Sequence, residues 1–185
     1  MNGRWGEARR LLVMRLDNIG DVVMTGPVLR AIKENLPGAH VTLMASPGGS
    51  KAAPLLPWVD EVFSWRVLWQ DVGDRLSFDP TRELEMVSTL REGSYDAAII
   101  LTSFKQTPHP AGYACYLAGI PLRLGESKEF GGGVLTDEAP PTPDELHQVE
   151  RNLGTIEHAG FRVTDRSLGI RVPEEARATA AGLLE

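Results

Sequence analysis

The chain has 185 residues, with 19 Lys and Arg against 25 Asp and Glu, giving a formal charge of −6. That length suits a single domain able to bury roughly 70% of the surface its unfolded form exposes, and the acidic balance is the reverse of a nucleic-acid binder's basic footprint. The single cysteine, Cys115, excludes an intrachain disulfide and fits a reducing cytoplasm, while no apolar run approaches the roughly 20 residues of a membrane span and no apolar signal core opens the chain.

The predicted elements alternate strand and helix. Residues 11–16 read as a buried strand. Residues 21–36 read as an amphipathic helix with Val22, Leu29, Ile32 and Leu36 at helical spacing, stopped by Pro37-Gly38. Pro27 lies inside this pattern, so it either kinks the helix or begins its regular part. Residues 40–45 form a second strand that ends in Ser46-Pro47-Gly48-Gly49-Ser50; a short helix at 51–56 and a strand at 61–65 follow. Asp79-Pro80 supplies an N-cap and a first-turn proline for a helix to residue 92, with Leu84, Val87 and Leu90 directed inward.

Residues 95–101 contain Ala97-Ala98-Ile99-Ile100-Leu101, apolar on both faces as a central parallel strand requires. A polar loop spans 102–110, then a helix 111–118, a short strand near 123–125 and, after three glycines, another at 134–135. Ala139-Pro140-Pro141-Thr142-Pro143 is a stiff connector. Asp144 caps a helix to about residue 159, with Leu146, Val149, Leu153 and Ile156 on one face. Glu174 opens a last helix with no C-terminal cap, so the chain reads as cut rather than finished. The fold class is α/β, a Rossmann-like and mostly parallel sheet with helices on both faces.

Three segments could carry chemistry. Gly20-Asp21 follows the first strand and puts a carboxylate at the edge where open α/β sheets bind ligands. Glycine permits close approach of a ligand, and a carboxylate held there suits a general base; the other reading is capping of the helix start by Asn18 or Asp21, and local physics alone favours the cap. The turn lacks G-x-G-x-x-G and a Walker lysine, so a dinucleotide or P-loop site is excluded there, and no Asp-x-Asp follows the strand.

The loop Thr102-Ser103-Phe104-Lys105-Gln106-Thr107-Pro108-His109 is the second segment, with hydroxyls, an ammonium, an amide and an imidazole for sugar hydroxyls or phosphates, or else a solvated loop. In the third, His147 and Arg151 lie four apart on a helix face beside Glu150. That spacing supplies no metal pair and reads as a surface or interdomain ion-pair network. Ser46 to Ser50 reads as a turn before it reads as an anion nest, and Trp58, Trp65 and Trp69 as packing. The early arginines Arg4, Arg9, Arg10 and Arg15 fit solvation and phosphate binding alike.

The run from Arg15-Leu16-Asp17-Asn18-Ile19-Gly20-Asp21 to Pro27-Val28-Leu29-Arg30-Ala31 resembles the opening of the family 9 glycosyltransferases, the ADP-heptose:lipopolysaccharide heptosyltransferases and their relatives. Pro37-Gly38-Ala39-His40-Val41-Thr42-Leu43, Leu117-Ala118-Gly119-Ile120-Pro121 and His147-Gln148-Val149-Glu150-Arg151-Asn152-Leu153 agree in order and spacing. The resemblance covers essentially the whole chain. It implies the N-terminal half of a two-domain GT-B enzyme: residues 1–172 as a Rossmann-like acceptor-binding domain, and 173–185 as the start of a connector to a C-terminal nucleotide-sugar-binding domain outside this sequence.

The resemblance also implies Asp21 as general base in an inverting transfer without metal or cofactor, with Asn18, Gly20, Lys105, Gln106 and His109 on the acceptor side. The implied partners are a nucleotide-sugar donor and a glycolipid or polysaccharide acceptor, with no nucleic acid, in the cytoplasm and with peripheral contact at the inner membrane left open. Two alternatives stand beside it: a relative using another nucleotide-sugar and acceptor, or a non-catalytic α/β module for sugars or phosphates. Alone, these 185 residues are expected to be inactive.

Overall fold

The computed structural model describes residues 3–73 and 75–184. In chain order the elements are α1 (Gly3–Gly6), β1 (Arg10–Arg15), α2 (Ile19–Val23), α3 (Gly26–Asn35), β2 (His40–Ala45), β3 (Glu61–Ser64), α4 (Pro80–Glu92), β4 (Ala97–Ile100), α5 (His109–Leu117), β5 (Leu122–Glu126), β6 (Asp137–Ala139), α6 (Gln148–His158) and α7 (Glu174–Leu184). Two 3₁₀ turns, Gly49–Leu55 and Leu68–Gln70, lie between β2 and α4. The strands form one parallel sheet in the order β3-β2-β1-β4-β5-β6, as the doubly wound reading requires. The order reverses between β1 and β4, and the C-terminal ends of those two strands frame the switch point where such sheets bind ligands.

Alternation along the central strands divides the core between two helical layers. Leu11, Val13, Val41, Leu43, Ala97 and Ile99 pack with α3 and α6 through Val28, Leu29, Ile32, Leu153 and Ile156. Leu12, Met14, Met44, Ala98 and Ile100 face α4 and α5 through Met86, Leu90, Ala111, Ala114 and Cys115. Burial pushes the Cys115 thiol up to about 12, because a thiolate there would be stripped of water. A thiol reagent is therefore expected to leave native Cys115 unmodified and to label one thiol per chain after urea unfolding; rapid labelling of the folded chain would contradict this packing.

Several elements depart from the predicted ones. The single helix at 21–36 is two, α2 and α3, interrupted at Met24 and Thr25, so Pro27 starts the regular part rather than kinking it. On α4, Leu90 and the half-buried Val87 face the core as expected, but Leu84 is solvent-exposed and Met86 is buried in its place; Asp79 does cap this helix, accepting from the Thr81 and Arg82 amides. His109 and Pro110 belong to the first turn of α5 rather than to the preceding loop.

The strand expected at 134–135 lies at Asp137–Ala139 and takes the first residue of the proline connector into the sheet edge. The helix expected from Asp144 begins only at Gln148. His147 is its N-cap, with Nδ1 accepting from the Val149 amide at 3.3 Å, and Leu146 is exposed. α7 is exposed along its described length. Among the described residues no helix is long and apolar enough to cross a membrane.

Candidate active site

β1 is buried along nearly its whole length and ends in Arg15, whose side chain has no solvent exposure. A guanidinium survives such burial only if its donors are met, and here three chain segments meet them. Nη2 donates to Asp21 Oδ1 at 3.0 Å and to Ser103 Oγ at 2.9 Å. Nε lies 2.9 Å from Asp17 Oδ2, an ion pair without hydrogen-bond alignment. Nη1 donates to Asn152 Oδ1 on α6 at 3.4 Å. The arginine thus joins the β1–α2 loop, the loop after β4 and the start of α6 at the switch point of the sheet.

Asp21 stands in the first turn of α2, where its Oδ2 accepts from the Asn18 amide at 3.3 Å. The capping role weighed from the sequence is therefore present, and it coexists with a carboxylate whose side chain remains about one-fifth exposed (21%). Asp17 is deeper. Gln106 donates to its Oδ1, and the Gln106 Oε1 accepts from the Ser103 amide at 3.1 Å.

Beside this cluster opens a cleft of about 380 Å³, walled by Asp17 and Asn18, by Ser46, Pro47 and Gly48 after β2, by Arg66, Gln70 and Arg75 after β3, and by Gln106. Ser46 Oγ donates to the Asp17 carbonyl at 2.7 Å and accepts from the Gly49 amide at 3.0 Å, locking the two loops together. Gly49 is needed for that approach, since a Cβ there would meet Val22 Cγ2 at 2.8 Å. The turn after β2 is a cleft wall, not an isolated turn.

Of the residues singled out from the sequence, Asn18 and Gln106 line the cleft, and Gly20 lies on the exposed side of α2 beside Asp21. Lys105 is exposed over the Phe104 ring and borders a separate depression of about 300 Å³ with Lys128 and Glu129. His109 is turned away, its Nε2 2.9 Å from Ser127 Oγ and 3.3 Å from the Glu129 carbonyl, with Gly131 packed against the ring. Arg151 joins an ion-pair network whose outer end, Asp144 with Lys128, is exposed and lies 3.7 Å from Arg151 Nη1. Its stronger partner is inside: Arg151 is buried and donates to Glu126 Oε1 at 2.8 Å, while Glu150 pairs with Arg166 outside. Trp65 and Trp69 pack against the core, as expected, and Trp58 carries the Arg30 guanidinium on its face.

Sequence reading missed Arg15, Asp17, Ser103 and Asn152 as one site. The available signal was an arginine closing an apolar strand with aspartates two and six residues on. Arg66 and Arg75 carried no motif at all. Among the described residues no group of three or more His, Cys, Asp or Glu could hold a metal ion.

Gly20 offers a direct probe of the exposed side. A Cβ added there meets nothing within 4 Å, so the fold does not require glycine. Gly20→Ala is expected to hold or raise stability by about 0.5–1 kcal/mol through reduced unfolded-state entropy. If a ligand passes over this face, the same variant will bind it more weakly; unchanged affinity would remove Gly20 from the site.

A six-stranded parallel sheet in this order, with helices on both faces, defines a Rossmann-like α/β fold. Solved structures with this fold include ADP-heptose lipopolysaccharide heptosyltransferase II of E. coli, at 21% identity and a TM-score of 0.69 over 95% of this chain and 50% of that one. A family 9 glycosyltransferase from Veillonella parvula is similar at 20% identity and a TM-score of 0.65, over 94% and 47%. The E. coli heptosyltransferase WaaC, solved with ADP-2-deoxy-2-fluoro heptose, gives 17% and 0.59 over 86% and 52%. The resemblance read from the sequence thus holds at the level of the fold, and the chain spans about half the length of these enzymes. Neither a protein-family model nor a curated protein matches the sequence.

Proposed function

We propose that this chain is the acceptor-binding half of an inverting, metal-independent GT-B glycosyltransferase that moves heptose from ADP-heptose to a lipopolysaccharide-core-like acceptor. The observation that carries the reading is Asp21, held by Arg15 at the switch point of the sheet and still open on one side. Asp21 accepts the proton of an acceptor hydroxyl as that oxygen bonds to the anomeric carbon. The anomeric C–O bond to the diphosphate breaks, and the nucleoside diphosphate leaves with the electron pair. The acceptor lies in the cleft against Asn18 and Gln106, with Arg66 and Arg75 facing its anionic groups.

A nucleotide-sugar-binding half, supplied by a second domain after residues 173–185, provides the cationic and backbone donors that stabilise the departing diphosphate. Support for that division comes from the half-length match to the heptosyltransferases. A glycolipid acceptor would be met at the cytoplasmic face of the inner membrane. The test is transfer by the full-length protein from ADP-heptose, run beside a set of other nucleotide-sugars on the same acceptor. Turnover with another donor alone would keep the transferase and replace the sugar; no turnover with any donor, in a folded protein that binds the acceptor, would favour the non-catalytic module. The 185-residue chain alone is expected to give none.

A further inference from the structure

We propose that Arg15 is the positioning residue of this site: its guanidinium, steered from α6 by Asn152, sets the orientation in which Asp21 meets the acceptor hydroxyl. The inference rests on the transferase reading above.

The strand partners of Arg15, Ala45 of β2 and the end of β4 at Ile100, call for no cation. The charge answers the carboxylates of Asp17 and Asp21, which an apolar side chain would leave unpaired. The arginine divides its nitrogens among three places. One faces Asp17, one is shared by Asp21 and Ser103, and one reaches Asn152.

Asp21 itself sits on a helix of five residues, and its other polar contact is the longer one from the Asn18 amide. The Arg15 contact is the shorter of the two and comes from the rigid centre of the sheet. A planar guanidinium can hold several acceptors at fixed angles, which an ammonium cannot.

Asn152 is preset for this task. It is buried, and its Nδ2 donates to the Met24 carbonyl at 3.1 Å. Its Oδ1 accepts from Gln148 Nε2 at 2.9 Å, and the same Gln148 nitrogen donates to the Thr102 carbonyl at 3.1 Å. With the amide nitrogen committed to Met24, the amide oxygen must face Arg15. Residues Gln148 and Asn152 of the His147 to Leu153 segment thereby act on a carboxylate they never touch.

The experiment uses the full-length protein with saturating ADP-heptose and acceptor. Arg15→Lys keeps the charge and loses the fork; it is expected to lower kcat about 10–100-fold, in line with small misplacements of a reacting group, with acceptor KM within about 3-fold of wild type. Asn152→Ala removes the tether, along with the Met24 and Gln148 contacts, and leaves Arg15 and Asp21 in place; its kcat is expected to fall about 3–10-fold with KM unchanged. Crystal structures of both variants should show the Asp21 carboxylate turned from its wild-type position.

Wild-type kcat in Arg15→Lys, or a raised KM with kcat unchanged, would overturn the proposal, the second outcome making Arg15 an acceptor contact. An unmoved Asp21 carboxylate in the variants would overturn it as well. Should Arg15→Lys not fold, Asn152→Ala decides alone, and unchanged kcat there sinks the proposal. If the wild-type protein transfers no sugar from any donor, the transferase reading fails, while the two crystal structures still decide whether Arg15 orients Asp21.

Discussion

Asp21→Asn in the full-length protein is expected to lower kcat by about 10²–10⁴-fold, the usual contribution of a positioned general base, with donor binding intact. Asparagine is the informative substitution because it preserves shape. Its Oδ1 can still accept from Arg15 Nη2, now at 3.0 Å from the carboxylate, but the side chain can no longer take a proton. Either substitution loses the acceptor for the Asn18 amide, but Asp21→Ala would also strip a partner from a buried guanidinium, so its loss would mix chemistry with stability. A folded Asp21→Asn protein that keeps turnover within about 5-fold of wild type would reduce Asp21 to a helix cap and remove the base from the mechanism.

Asp17 supplies the internal comparison. It contacts the same arginine and borders the cleft, yet its side chain is only 8% exposed and both of its oxygens face protein groups. Asp17→Asn should therefore cost clearly less kcat than Asp21→Asn. The reverse order would move the base from Asp21 to Asp17 while leaving the cleft and the transferase reading in place.

The fold was legible where burial leaves a strong mark. β1, β2 and β4 are nearly continuous apolar runs because helices cover both faces of the sheet. β6, Asp137–Ala139, left no such mark, since an edge strand with two acidic residues looks like a loop. Leu84 and Leu146 show the opposite failure: helical spacing put both on an apolar face, but Leu84 points into solvent from α4 and Leu146 lies before α6 begins.

Of the candidate site, the sequence offered Asp21 with its turn and Gln106. Ser103 and Asn152 lie 88 and 137 positions from Arg15, the arginine they contact, so no local pattern joins them. Only the parallel winding of the sheet brings the ends of β1 and β4 and the start of α6 together. The cleft wall after β3 has neither periodicity nor motif, and its arginines take on meaning only beside Asp17 and Ser46.

The largest loss of stability is expected from Arg151→Met. Arg151 and Glu126 are 5% and 8% exposed at the side chain and 2.8 Å apart, and the second Glu126 oxygen accepts from Thr142 Oγ1 at 2.9 Å. The arginine also donates to the Thr142 carbonyl at 3.4 Å, so this one pair pins β5, the proline connector and α6 together. Removing the arginine strands a buried carboxylate, and breaking such a pair costs about 3–5 kcal/mol, measurable as a shift in the urea midpoint at unchanged slope.

Adding Glu126→Gln should recover more than half of that loss, because a neutral amide can keep the Thr142 contacts without a charge to bury. A loss below about 1 kcal/mol in the single variant would mean that water reaches the pair and screens it as on a surface. The consequence extends to catalysis, since the helix this pair anchors is the one that presents Asn152 to Arg15. In the transferase reading the Glu126→Gln/Arg151→Met protein should therefore regain turnover along with its stability, whereas Arg15→Lys should lose turnover while staying folded.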